Sequence, residues 1–209
     1  FGRSSRPFFN FSFNFKGVKG SGNTATDART ATGFKGVDVG GVFQVEINAQ
    51  KEYSVELEAD DNLLQYIKTD VRNGVLYIET SRKISPTSPV RVRVNAPEIE
   101  HLDVSGVANV TANDIKTSDF GIDSSGASKV KVAGEAGKLT VDVSGATKID
   151  AESLQVGDAN VDASGASNVV LSVSGELKAE ASGASKVLYS GTPSSVVKST
   201  SGGSRVSPK

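Results

Sequence analysis

The chain has 209 residues, and its 23 basic and 24 acidic side chains give a formal net charge of −1, so no global positive field favours nucleic acid or an anionic membrane surface. Only 37% of the residues are hydrophobic while 22 are glycine, a balance that favours thin β-structure with tight turns over a thick α/β core. Cysteine and methionine are absent, which excludes disulfides and Cys-ligated metals and predicts that any targeting segment has been removed.

Residues 1–15 differ from the rest of the chain because they hold six of its nine phenylalanines. Over Phe9–Phe15 the rings alternate with polar residues, which predicts a strand with one aromatic face. An uncovered strand of this kind would aggregate, so we expect it to cap its own coil or to pair with another protomer. The alternative is a tether that joins a removed signal segment to the folded domain. In either case we expect a single β-helix domain over residues 16–209.

Residues 98–209 contain a regular repeat, described below, and two weaker versions of it are predicted near the start of the β-helix domain. One is Val18–Thr24, and the other is Val37–Val45, which matches the later copies position for position around Gly41. Self-similarity at this point predicts that the repeating structure begins well before Gly106.

Residues 51–97 interrupt the regular spacing and predict a less uniform, insertion-like region that is partly antiparallel. Tyr53–Glu58 alternates as a strand, and the Asp-Asp-Asn segment at 60–62 predicts an N-cap for a short helical turn. Asn73-Gly74 lies between two strand-like segments, which is the strongest short-range signal for a β-hairpin. Val90–Val94 is a further strand of period two.

From residue 98 to residue 209 a regular repeat governs the sequence. Its centre reads Ser-Gly-Ala or a close variant, with one strand before it, a second strand after it and a short turn that closes the coil. The central glycines are Gly106, Gly126, Gly145, Gly165, Gly183 and Gly202. A fixed period of 18–20 residues predicts an all-β fold, a single-stranded parallel β-helix whose coils stack about 4.8 Å apart.

Stacking would align charged residues on either side of each central glycine. The acidic row, three residues before the glycine, comprises Asp103, Asp123, Asp142, Asp162 and Glu180. The basic row, three residues after it, comprises Lys129, Lys148, Lys186 and Arg205, with Asn109 and Asn168 interspersed. One interpretation is a groove that binds a cation or a polysaccharide. The interpretation we favour is that both rows face solvent on one sheet and offset each other's like-charge repulsion.

No set of residues in the sequence points to a specific reaction. A serine row precedes the glycines: Ser105, Ser125, Ser144, Ser164, Ser182 and Ser201. A serine nucleophile needs a base, and the only histidine is His101, so the row indicates turn chemistry, and His101 is expected to be an ordinary surface residue. The segment 20–22 (Gly-Ser-Gly) lacks the Lys-Ser/Thr of a phosphate-binding loop. Arg91 and Arg93 could contact an anion, although exposed strands commonly carry such charges. The sequence thus predicts no catalytic, cofactor-binding or metal-binding residue.

The sequence resembles a known family of exported proteins. The segments that carry the resemblance are 18–23 (Val-Lys-Gly-Ser-Gly-Asn), 34–39 (Phe-Lys-Gly-Val-Asp-Val), Leu63-Leu64 with 73–78 (Asn-Gly-Val-Leu-Tyr-Ile), and the repeats from 102–106 (Leu-Asp-Val-Ser-Gly) onward. Together they span about residues 16–206 and are similar to the "head GIN domain" family of auto-transporter adhesins. The resemblance implies a right-handed parallel β-helix in exported or cell-envelope proteins typical of Bacteroidetes, and it supplies no catalytic residues.

We therefore expect a non-enzymatic, exported β-solenoid of the cell envelope, outer surface or periplasm, serving as an adhesin-like or structural binding module. The expected partners are surface glycans or envelope proteins, and no nucleic acid, cofactor or membrane span is expected. One alternative is a polysaccharide lyase or hydrolase, which rests on fold analogy alone. Another is an envelope assembly module in which Phe9–Phe15 joins protomers into a homo-oligomer. Breaks in the repeat, including the last coil around Arg205, are where a specific site would be expected.

Overall fold

The structure, a computed structural model, describes residues 17–209. The helical structure in this range is one short 3-10 helix, Leu64–Tyr66. The predicted strand Phe9–Phe15 lies outside the described residues. The strands, numbered in chain order, are β1 Val18–Lys19, β2 Thr24–Arg29, β3 Gly36–Gly41, β4 Gln44–Asn48, β5 Ser54–Asp60, β6 Ile67–Arg72, β7 Val75–Thr80, β8 Ile84–Ser85, β9 Arg91–Asn95, β10 His101–Gly106, β11 Asn109–Ser124, β12 Lys129–Val143, β13 Lys148–Ala163, β14 Asn168–Val173, β15 Glu176–Ala181, β16 Lys186–Ser190, β17 Ser195–Thr200 and β18 Arg205–Pro208.

The coils have three flat sides, of which two are long. The first, named here the Asp side, comprises β7, β3, β10, the final parts of β11–β13, β15 and β17, paired in parallel in that order. The second, the Lys side, comprises β9, β4, the opening parts of β11–β13, β14, β16 and β18, also parallel. A short third side joins them through the middle of β11–β13. The predicted parallel β-helix is therefore confirmed, with about five turns.

The bend between the Lys side and the short side differs from the expectation. The sequence predicts a short turn there, but β11, β12 and β13 run through it as continuous strands. The bend comes from register shifts after Ala112 and Lys131, together with left-handed backbone such as that of Asp114, whose φ is 58°. Because a bulge turns a strand while pairing continues on both sides, no separate loop is needed.

The interior is filled by aliphatic side chains that alternate with outward polar ones along each strand. On the Lys side the first inward row comprises Val45, Val110, Val130, Ile149, Val169, Val187 and Val206, all buried. Burying a side chain of this size stabilises a fold by roughly 1.5–3 kcal/mol. Many thin rows of this kind, rather than one thick core, hold the coils together.

The corner between the Asp side and the Lys side depends on glycine. The six central glycines, from Gly106 to Gly202, have φ between +72° and +89°, a left-handed conformation that side chains disfavour. The stacking is also close, because a Cβ on Gly145 would lie 2.5 Å from the carbonyl oxygen of Gly126 in the preceding coil. The following residue is exposed at the apex, as Ala146 is. The backbone can therefore form this corner only where the central glycine of one coil stacks on the central glycine of the neighbouring coil.

The first part of the described chain departs from the coil pattern. The weak repeat predicted at Val18–Thr24 is wrong, since β1 pairs with β8 in a small sheet of its own and β2 lies antiparallel to β5. β5 is in turn antiparallel to β9, as expected for a partly antiparallel region. Asn73-Gly74 forms the predicted hairpin between β6 and β7, with φ values of 52° and 77°. Positive φ at both positions is what a type I′ turn needs.

Candidate functional site

A row of carboxylates runs along the Asp side, with one member on each of the six strands that lie between β7 and β17. The register aligns Asp38, Asp103, Asp123, Asp142, Asp162 and Glu180 in that order. Sequence reasoning found the last five, and the structure adds Asp38. The sequence contained a signal for Asp38, namely the match of Val37–Val45 to the later repeats. The pairing of Gly41 with Gly106 confirms that match. Residues 51–97 come between these coils, which hid their adjacency in the sequence.

The row carboxylates lie close enough to repel one another. Partial burial raises the pKa of Asp38, Asp103 and Asp142, and the carboxylates of adjacent coils raise it further. Among the described residues the row forms one ion pair. His101 Nε2 lies 3.3 Å from Asp123 Oδ2, and this contact is an ion pair only when the imidazole is protonated. Like charges that face each other across paired strands destabilise a sheet. The row is therefore an unfavourable arrangement for the isolated fold and a favourable one for a positively charged partner.

His101 lies beside this row and forms the one ion pair that the row has in the described chain, while Arg72 acts on Asp38 at longer range. The register aligns it with Gly36 and Gly121 on the two neighbouring coils. A Cβ on Gly121 would lie 2.6 Å from His101 Nδ1, so the missing side chain gives the imidazole room to lie across the next coil toward Asp123. The side chain is 40% exposed, in keeping with the expected surface residue, but it has a specific acidic neighbour that the sequence did not indicate.

The basic row lies on a different side of the coil from the acidic row. The register aligns Asn109, Lys129, Lys148, Asn168, Lys186 and Arg205 along the Lys side. In residues 17–209 no ion pair joins this row to the acidic row. The strands of both rows belong to one continuous sheet, but the rows lie on different sides of the coil, so the expectation that they offset each other's repulsion is wrong. The glycine corner stands between them and turns them toward different directions, so the coil separates charges instead of pairing them.

Hydroxyl groups bind backbone carbonyls at the corner. Ser164, of the predicted serine row, donates to the Val143 carbonyl oxygen of the preceding coil at 3.3 Å. A second hydroxyl row was missed in the sequence and is buried: Ser128, Thr147, Ser167 and Ser185. Ser185 Oγ lies 2.8 Å from the Ser182 carbonyl oxygen and 2.9 Å from that of Ala163. The signal was a small hydroxyl residue two positions after each central glycine from Gly126 onward. Thr147 and Ser185 of this row bind corner carbonyls, whereas Ser167 Oγ has no hydrogen-bond partner in residues 17–209.

Arg91 and Arg93 line a groove of about 400 Å³ at the start of the Lys side. Arg91 Nη1 lies 2.6 Å from Glu58 Oε1, and Arg93 Nη1 lies 3.1 Å from Glu56 Oε1. Arg93 Nε is also 3.6 Å from Glu46 Oε2. Because β5 and β4 supply acids to both guanidinium groups, the arginines pair neighbouring strands and leave little positive charge for an anionic ligand.

The Gly-Ser-Gly segment at 20–22 surrounds a carboxylate of the chain itself. Asp60 is fully buried, and its carboxylate accepts backbone N–H bonds from Gly22 at 2.9 Å, Thr87 at 2.8 Å and Ser88 at 3.3 Å. A Cβ on Gly20 would collide with this carboxylate. Burial opposes ionisation, but the N–H bonds favour it more strongly, and the net effect lowers the pKa of Asp60. The N-cap predicted at 60–62 is therefore wrong, since the 3-10 helix has no side-chain cap and Asp60 joins loops instead.

The described residues form extended polar surfaces, and their functional groups do not converge on one pocket. Within residues 17–209 no group of three or more acidic or histidine side chains is placed to hold a metal ion. No helix in that range has the length and apolar character needed to cross a bilayer. Along the Asp side, shallow depressions lie between the rungs, and the charged residues that line one of about 350 Å³ are Asp142, Asp162, Glu180 and the basic Lys178. Such a surface can make many similar contacts along its length.

Known proteins share this fold. A model of the family "Putative auto-transporter adhesin, head GIN domain" matches residues 33–193. A putative adhesin from Bacteroides fragilis NCTC 9343 superposes with a TM-score of 0.74 at 18% identity, covering 92% of this chain and 100% of its own. A putative adhesin from Parabacteroides merdae ATCC 43184 gives 0.54 at 20% identity, with 92% and 98% covered.

A putative lipid binding protein from Parabacteroides distasonis ATCC 8503 gives a TM-score of 0.56 at 18% identity, with 92% of this chain and 99% of its own covered. At such identities these likenesses show the fold alone. The comparison with curated proteins gives no match.

Proposed function

Since the chain belongs to the family "Putative auto-transporter adhesin, head GIN domain", we propose that it is a non-enzymatic, adhesin-like surface module that binds through its Asp side. The family supports an exported protein that acts at the cell surface. The ligands are surface glycans or envelope proteins that present positive charge, such as amino sugars or lysine-rich surfaces.

The observation that carries this proposal is the row of six carboxylates from Asp38 to Glu180, aligned coil upon coil. Partial burial raises the pKa values of Asp38, Asp103 and Asp142, and repulsion between the carboxylates of neighbouring coils raises them further. A cationic ligand relieves that repulsion. The β-helix holds the row rigidly, so binding loses little backbone freedom.

Many weak contacts in line give this surface useful affinity. An exposed ion pair contributes only about 0.2–1 kcal/mol, which is too little for a single rung to retain a ligand. Rungs that engage together act as linked sites, and their combined affinity exceeds that of any one of them. A repeating partner, such as a glycan chain, can meet several rungs at once.

A charge-neutralised variant tests the proposal. Asp123→Asn, Asp142→Asn and Asp162→Asn in one chain should reduce binding to a glycan array and to solubilised envelope components by at least about tenfold, equivalent to ~1.4 kcal/mol. The matched control carries Asp114→Asn, Glu135→Gln and Asp150→Asn, which remove the same charge away from the Asp side. Equal binding by the two variants, or no binding by the unaltered protein at high concentration, contradicts the proposal.

The enzymatic alternative has a direct test. In the described chain the acids repeat in rows, whereas a lyase or hydrolase needs different groups that converge on one bond. Turnover of any member of a polyuronate panel in the presence of calcium would contradict the non-enzymatic part of the proposal.

A further inference from the structure

The β-helix carries opposite charges on two of its sides. The Asp side presents the acidic row described above. Beyond the glycine corner the Lys side presents Lys129, Lys148, Lys186 and Arg205, with Lys131 beside them. These basic side chains are exposed, and none of the ten ion pairs in residues 17–209 includes them. Within residues 17–209 the two rows therefore do not neutralise each other, although Asp150 is aligned with Lys131 on the Lys side and Lys178 lines the same depression as Glu180 on the Asp side.

The two rows also have the same spacing, because the same coils generate both. Consecutive rungs lie about 4.8 Å apart on each side. The acidic row holds six rungs from Asp38 to Glu180, and the basic row holds five rungs from Lys129 to Arg205, four of them charged because Asn168 occupies the third. A partner with another repeat length falls out of register after a few rungs, whereas a second copy of this chain stays in register along the whole contact.

We propose that the Asp side of one molecule docks against the Lys side of a second copy, so that the chains associate laterally with their rungs matched. This inference rests on the proposed function, because it names a partner for the same Asp side. Unlike surfaces meet in such a contact, so the pair keeps one free Lys side and one free Asp side, and association can continue. The result is a layer or fibre of adhesin modules instead of a closed dimer.

Weak rungs make this association reversible and sensitive to salt. Four exposed ion pairs at about 0.2–1 kcal/mol each support contact only where the local protein concentration is high, as on a crowded surface. Charges on opposing surfaces are screened over about 10 Å at 0.1 M salt. Raising the salt concentration should therefore disperse the assemblies without unfolding the chains.

Charge exchange gives a decisive experiment on the full chain. The first variant carries Asp123→Lys, Asp142→Lys and Asp162→Lys, and the second carries Lys129→Glu, Lys148→Glu and Lys186→Glu. By sedimentation velocity at low ionic strength we expect the unaltered chain to associate and each variant alone to associate at least about tenfold more weakly. An equimolar mixture of the variants should associate again, because each now presents the charge that the other lacks. Recovery in the mixture also shows that both variants are folded.

Two results would overturn the inference. One is an unaltered chain that stays monomeric at low salt, and the other is association that persists in both single variants, which would point to residues 1–15 instead. Neither result touches the proposed function, since binding of the Asp123→Asn, Asp142→Asn, Asp162→Asn variant to glycans and envelope components is measured separately. Loss of that binding in the triple Asn variant, together with charge-dependent self-association of the unaltered chain, would support both.

Discussion

At the residue scale, the central glycines serve two requirements that can be separated experimentally. Gly145 has φ of +81°, and its missing Cβ lets the Gly126 carbonyl approach from the preceding coil. Gly33 has a similar φ of +75°, yet no atom lies within 4 Å of the place where its Cβ would be. The pair therefore distinguishes backbone strain from steric collision between coils.

We expect Gly33→Ala to lower the free energy of unfolding by about 1–2 kcal/mol, the cost of a side chain in left-handed backbone. Gly145→Ala should lower it by a further 1–3 kcal/mol or so, because the collision is with main chain that cannot move aside. Chemical denaturation followed by circular dichroism measures both. Equal losses at the two positions would show that coil-on-coil contact plays no part.

At the element scale, one buried carboxylate ties together the loops at the irregular end of the β-helix. Asp60 ends β5 and binds the backbone of the loop before β2 and of the loop after β8. The folded pKa of Asp60 is lowered, so its contribution to stability is present above its unfolded pKa of about 3.9. That contribution is lost as the pH falls through the folded value.

Asp60→Asn should therefore lower the melting temperature most at neutral pH, and the gap from the unaltered protein should narrow as the pH falls below about 4. Thermal unfolding by circular dichroism between neutral and acid pH measures the gap. Asp70→Asn, at an exposed position on β6, serves as the matched control and should change little. A gap that stays constant with pH would mean that the ionised form of Asp60 has no special role.

The contrast between Asp60 and the Asn73-Gly74 hairpin shows how far local sequence carries a prediction. The hairpin was predicted because both turn residues and both strands lie within one short segment. The segment 60–62 also fits a local pattern, that of an N-cap, but the partners of Asp60 lie at positions 22, 87 and 88. No pattern within a few residues of Asp60 indicates those distant contacts, so its role in joining the loops could not be predicted from the sequence.

At the scale of the whole molecule, the coil is the unit of the structure. Repetition fixed the register of the acidic and basic rows in advance, because equal spacing from each glycine leaves little choice of alignment. It did not fix the sides on which the rows lie. That depends on the sharpness of the corner, which follows from left-handed glycine and from hydroxyls such as Thr147 turned inward.

Removal of one whole coil tests this modular view. Deletion of residues 146–165 joins Gly145 to Ala166, which recreates the Gly-Ala corner and keeps every row aligned. We expect a folded β-sheet protein of reduced stability, because each coil of a solenoid contributes through contacts with its neighbours. Circular dichroism and limited proteolysis measure the outcome. Deletion of residues 146–155 should prevent folding, because it removes the Lys-side strand of one coil and leaves the Asp-side strand of that coil in place. A folded product of this deletion would contradict the modular view.

The direction of the backbone hydrogen bonds has a mechanical consequence for the β-helix. Strands run around the coil, so the bonds that join coils, such as Ala146 N–H to the Gly126 carbonyl oxygen, lie along the stacking axis. Tension applied along that axis loads the outermost coil first and peels coils away one after another. Each peeled coil of 18–20 residues releases roughly 65 Å of extended chain. Under a sustained pull along the stacking axis, the β-helix would therefore lengthen stepwise and absorb work.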